Sequence, residues 1–162
     1  MKQYLWSQFY RHALNIWPCI RGTGGRIYYL SSDFTLLKVK IPLNWRTRNR
    51  VGTIYGGSMY GATDPFFMLM LMEILGKDYV VWDKAGTIRF KRPGTETLYT
   101  EFYISPEKLG EVHTAIEENS EGTFTWQIQL KTEEGAVCAE IDKTIYVAKK
   151  SFYKEKMKAR GQ

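Results

Sequence analysis

The chain is poor in the residues that staple or ligate. Two cysteines in 162 residues, Cys19 and Cys138, are too few for a disulfide framework and lack metal-ligand spacing. Both read as buried free thiols in a reducing compartment, and no metal is expected. Only two histidines occur, His12 and His113, one in each of two helical segments. A histidine-based triad is therefore not expected. Long apolar runs are missing as well. The longest, residues 66–72, falls far short of the ~20 residues that span a bilayer. Residues 1–18 carry Arg11 and His12 in their middle and make a poor secretory signal. The expected location is the cytoplasm, with no membrane partner.

Acidic residues are scarce in the first fifty positions, where Asp33 stands alone against nine Lys/Arg. Residues 101–148 reverse the balance with ten acids and three bases, and residues 149–162 return to six bases and one acid. The net charge of +6 hides this asymmetry. A basic half serves nucleic acid, phosphorylated small molecules or a merely solvated face. No zinc-finger spacing, RNP-like motif or Gly-rich phosphate loop accompanies it, which leaves nucleic acid the minority reading.

What is present is the making of one globular domain. Hydrophobic residues reach 44% and charged residues 25%, which excludes disorder and low-complexity character. The length fits one domain, and folding at this size buries a sizeable core without staples. Aromatics at 15% suit a sheet-rich core or an apolar ligand site.

Hydrophobic period separates the elements. Leu5, Phe9, Ala13 and Ile16 recur at helical spacing, widened by Trp6, Tyr10, Leu14 and Trp17, so residues 3–17 read as an amphipathic helix that Pro18 ends. A flexible connector at 22–25 precedes two strands, 26–30 and 34–43. Residues 79–92 form another strand, closed by Pro93-Gly94. Period two then runs through Leu98 to Ile104, Phe124 to Leu130, and Val137 to Val147, with Lys143 the one exception in the last strand. Glu133-Glu134-Gly135 makes a tight hairpin, and residues 106–119 a charged connecting helix. The domain spans 1–148, and the basic tail 149–162 reads as frayed. Residues 57–75 are apolar on every side, as in a helix enclosed by a core. An α+β architecture follows: five or six antiparallel strands wrapped around one long buried helix. Its open sheet edges favour pairing into a dimer.

Chemistry concentrates in residues 49–67. Gly56-Gly57 stands before the central helix, where first-turn N–H groups lack partners and the helix dipole is positive. Glycines there either make a tight turn or let an oxyanion approach the backbone. Asp64 is an acid in an apolar stretch, which needs a partner or a task. Asp64-Pro65 is equally an N-cap followed by proline at the first helical position, so a cap and a functional acid both stay open.

The pattern Asn49-x-x-Gly52-Thr53-x-Tyr55-Gly56-Gly57, with an acid seven residues later at Asp64, resembles the hotdog-fold thioesterases, in particular the PaaI-like acyl-CoA thioesterases. The order of elements is similar too, and the likeness covers residues 20–148. The resemblance implies that the N–H of Gly57, with that of Gly56, polarises a thioester carbonyl while Asn49 positions it or the loop. It implies that Asp64 activates a water or attacks directly, releasing coenzyme A, with no other cofactor. It further implies a site at a dimer interface, with possible pairing into tetramers, and a completing residue near Asp83 or Lys84 on the following strand. Should Asp83 lie near Asp64, one of the two should hold a raised pKa. The best-known members carry histidine where this chain has Tyr55. A tyrosine donates a hydrogen bond but does not change charge near neutrality, so it stands as a substrate-binding candidate. Arg89, Lys91 and Arg92, and before the glycines Arg46, Arg48 and Arg50, are candidates for the phosphates of coenzyme A or for a solvated face. The functional expectation is an acyl-CoA thioesterase; the alternative is a hotdog protein that binds acyl-CoA or a related lipid without turnover.

Overall fold

The computed structural model describes residues 2–161. Six strands form one sheet in the order β1-β2-β4-β5-β6-β3, and every neighbouring pair is antiparallel. The strands are β1 (Arg26–Leu30), β2 (Leu36–Ile41), β3 (Tyr79–Phe90), β4 (Leu98–Tyr103), β5 (Glu121–Lys131) and β6 (Val137–Lys149). After β2 the chain runs through two helices, α3 (Gly56–Gly61) and α4 (Phe66–Leu75), to the far edge as β3, then returns beside β2 as β4.

The central apolar segment is two helices with a break at residues 62–65, and α4 supplies the core. Its Phe66 and Phe67 rings meet Phe102 of β4 edge-on at 5.3 and 5.0 Å, and Phe67 also meets Trp126 of β5 at 5.0 Å. Met70 and Leu71 complete the buried stripe. The expectation of a helix enclosed on every side is corrected here: Met72 is 46% exposed. The sheet covers one side of α4, and the N-terminal helix approaches the other, where the Trp6 indole donates to Glu73 at 2.9 Å.

The N-terminal helix α1 (Lys2–Ile16) stops before Pro18, which opens the short α2 (Pro18–Gly22) at a first-turn position where its missing N–H is harmless. Gly22 thus belongs to a helix rather than to the connector. Cys138 is buried as expected, but Cys19 is exposed on α2. The connecting helix α5 (Pro106–Asn119) is capped by Ser105, whose hydroxyl accepts from the Lys108 N–H. In the β5–β6 hairpin Gly135 adopts φ +89°, a conformation that glycine takes without strain.

The tail, expected to be frayed, is the helix α6 (Lys150–Ala159). Contacts remote in sequence hold it: Lys156 pairs with Glu121 of β5, which also accepts from the Tyr146 hydroxyl at 2.5 Å. Tyr153 packs on Tyr146 with ring centres 6.2 Å apart.

Phe67 has two aromatic partners and is fully buried. Phe67→Ala is expected to cost about 3–5 kcal/mol, read as a lower denaturant midpoint at unchanged slope. A loss below about 1 kcal/mol would show that α4 is not the centre of the core.

Candidate functional site

Period two on β6 places residues 139, 141, 143, 145 and 147 on the inner face, and four of them are apolar. The fifth is Lys143, 1% exposed, opposite Gly86 on β3 and Trp126 on β5. A buried ammonium is costly unless it is paired and hydrogen-bonded. Lys143 has partners on three sides. Its Nζ donates to the Asp64 carboxylate, lies 3.6 Å from Asp83 Oδ2, and sits 5.5 Å from the centre of the Tyr60 ring.

Backbone features make this arrangement possible. β3 has a bulge between Asp83 and Ala85, which leaves Lys84 unpaired in the ladder. Asp83 turns inward to Lys143, and Lys84 reaches the other face, its Nζ 5.7 Å over the Tyr146 ring beside α6. Gly86 leaves room for the tyrosine above the lysine: a Cβ there would lie 2.2 Å from the Tyr60 hydroxyl.

The two carboxylates differ in surroundings. Asp64 is 46% exposed and Asp83 18%. Both Asp83 oxygens are buried and lack a hydrogen-bond partner among the described residues. Burial pushes the Asp83 carboxyl above its ordinary value of 3.8 and the nearby Asp64 charge adds to the rise, while the Lys143 ammonium opposes it. Asp64 does not cap α4, because the residue flanking that helix is Pro65 and no side chain caps it.

A second group gathers at the other end of α3. The loop after β2 and the end of β3 enclose a cleft of about 400 Å³, lined by Asn49, Gly56, Phe90, Lys91 and Arg92 among others. Asn49 is spent on its own loop: its side-chain oxygen accepts from the N–H groups of Val51 and Thr53, and its amide donates to the Thr53 hydroxyl. Tyr55 precedes α3, is exposed, and offers no side-chain cap to the first-turn amides. The Tyr55 ring covers Gly57, where a Cβ would fall 2.3 Å from it, and the Phe90 ring covers Gly56 at 2.8 Å. Gly56-Gly57 and Asp64 thus lie at opposite ends of a helix of six residues, about 9 Å long.

The basic candidates divide: Lys91 and Arg92 line the cleft, and Arg89 and Lys84 meet other partners. Arg89 bonds Asp142 at 2.7 Å and lies 3.8 Å from Glu140, whereas Lys91 pairs with Glu140 at 3.0 Å yet still lines the cleft. Arg46 stacks on the exposed Trp45 ring. Lys84 and Arg89, expected at the site, are therefore engaged elsewhere. Lys143, the cation that organises it, was not among the site residues named from sequence. Its trace in the sequence is the break it makes in the alternation of β6.

This fold, a six-stranded antiparallel sheet wrapped on a central helix, is the hotdog fold of known thioesterase structures. The chain is similar to PA5026 of Pseudomonas aeruginosa, a protein of unknown function called a probable thioesterase. That match has 19% identity and a TM-score of 0.76, covering 88% of this chain and 95% of that one. It is similar to the thioesterase HI1161 of Haemophilus influenzae at 15% identity and TM-score 0.64, covering 88% and 90%. A Chlorobaculum tepidum protein of unknown function matches at 14% identity and TM-score 0.68, covering 91% and 94%. A family model, Domain of unknown function (DUF4442), matches residues 6–147, and the chain belongs to that family. No curated protein matches it.

The raised Asp83 pKa has a definite sign for stability. A carboxyl raised on folding contributes stability that is present below 3.8 and lost as pH climbs through the folded value. The melting temperature of Asp83→Asn, relative to the parent, is therefore expected to rise between about pH 4 and about pH 8. A difference that falls over that range would mean that attraction by Lys143 outweighs burial.

Proposed function

We propose that the protein is a thioesterase acting on acyl-CoA or a similar thioester, with Asp64 as general base. The carrying observation is the Asp64 carboxylate, held on one side by the buried Lys143 ammonium and half open to solvent. A fixed, partly accessible carboxylate has the geometry that proton abstraction from water requires. The uncapped first turn of α3 supports an oxyanion site at the Gly57 N–H, joined by that of Gly56. Because these amides and Asp64 lie at opposite ends of α3, a homodimer that pairs the glycines of one copy with Asp64 of the other suits the reaction. Lys91 and Arg92, at the rim of the cleft, are the basic groups available to coenzyme A phosphates.

In this reading Asp64 takes a proton from water as the water oxygen bonds to the thioester carbon. The carbonyl electrons move to its oxygen, where the α3 amides receive the charge. When the tetrahedral intermediate collapses, the C–S bond breaks and the sulfur leaves with the electron pair. The proton held on Asp64 passes to the sulfur, giving the free acid and the thiol. Lys143 fixes the carboxylate and touches no reacting atom, so it is a positioning residue.

One observation favours the alternative, an acyl-CoA or lipid-binding protein without turnover: Tyr55, the residue before the glycines, is an exposed side chain that does not reach Asp64 through any hydrogen bond among the described residues.

Thiol release measured over short, medium, long and aromatic acyl-CoAs separates the two. Asp64→Asn is expected to lower kcat by roughly 10²–10⁴-fold with the melting transition retained. Lys143→Met should lower kcat with little change in KM, and Lys143→Arg should recover part of the loss. An unchanged rate in Asp64→Asn removes Asp64 from the mechanism, and saturable binding without product moves the assignment to the binding protein.

A further inference from the structure

α1 carries its apolar stripe on the side that faces away from the sheet. Leu5, Phe9 and Ile16 recur at helical spacing and are 62, 63 and 70% exposed. Trp17, just beyond the helix, is also exposed. The inward side is represented by Ser7 and Leu14, the buried residues of α1. Large apolar side chains are stabilised by leaving water, so a row of them left exposed marks a surface that something covers. Beside the stripe, α1, α2 and the start of α4 enclose an open apolar groove of about 460 Å³, walled by Trp6, Phe9, Trp17, Pro65 and Leu69 among others.

Charge decides what covers it. The chain holds no acid before Asp33, and the acid that reaches this face from α4, Glu73, accepts from the Trp6 indole on the groove's wall. Lys2 and Arg11 lie on α1 and Arg21 on α2; Arg21 and Arg46 border a neighbouring hollow together with Ile16. These cations outnumber Glu73, so a second copy of this face would bring a net positive surface against its own, which disfavours self-association through it. An anionic, fluid apolar layer satisfies both halves of the surface at once: the aromatic and aliphatic side chains enter it, and the arginines meet its headgroups.

We propose that α1 and α2 form a docking surface for an anionic lipid bilayer, with α1 lying in the plane of the interface. No helix among the described residues is long and apolar enough to cross a membrane. A helix that lies in the interface needs no such length. The expectation of no membrane partner rested on the lack of a spanning segment, and this proposal departs from it. The proposal stands independently of the chemistry assigned to Asp64.

The test is flotation of the full-length chain with vesicles of phosphatidylcholine alone and of phosphatidylcholine containing a third of phosphatidylglycerol. Tryptophan emission is read alongside. The expected result is binding to the anionic vesicles, a blue shift from Trp6 and Trp17, and weakening by added salt. Leu5→Glu and Phe9→Glu, both at exposed positions, should each reduce the bound fraction about tenfold or more at unchanged melting temperature. Arg21→Glu should reduce binding to the anionic vesicles alone. Absence of binding to either vesicle would overturn the proposal, as would binding that Phe9→Glu leaves intact. A dimer in sedimentation velocity that Phe9→Glu dissociates would assign the surface to a second copy and overturn it equally.

Discussion

The site depends on one buried cation. Lys143 is enclosed in the layer between sheet and helices, and everything around it is arranged to make its charge tolerable. Asp64 and Asp83 approach from two different segments, the Tyr60 ring from a third, and Gly86 withholds a side chain so that the ring can fit. Leaving a buried charge without its partner costs several kcal/mol, so the lysine constrains α3, the turn after it, and β3 together. A salt bridge of this kind adds little net stability compared with an apolar replacement of similar volume. Here it fixes the direction of a half-exposed carboxylate.

Much of the frame was legible in the residues. Alternation located β4, β5 and β6, helical spacing located α1, and the aromatic, methionine-rich run located the core helix, because each pattern reports one local geometry repeated several times. The break within the central segment was legible only as a restart near Pro65. Whether Asp64 capped the second helix or turned elsewhere was settled by a lysine 79 positions away.

Two of the basic candidates lie away from Asp64 for one reason. Arg89 and Lys84 belong to the right strand, but the bulge at Lys84 and the register that sets Arg89 beside Asp142 and Glu140 decide where their charges go. Register and bulges arise from strand pairing and leave no trace in the composition of one strand. The tail looked unstructured for the same reason, since Glu121 and Tyr146, its partners, lie on β5 and β6. Lys143 did leave a trace, a lysine where the period of β6 requires an apolar residue. Such an exception carries more information about a site than the residues that obey the pattern.

Gly86 bears on how the family can diverge. Its missing side chain is occupied by the Tyr60 hydroxyl, and Tyr60 in turn faces Lys143. A change at any one of the three positions is therefore filtered by the other two. Homologues that lose the lysine are released from keeping glycine at 86 and tyrosine at 60, so the three positions should covary as a block across an alignment.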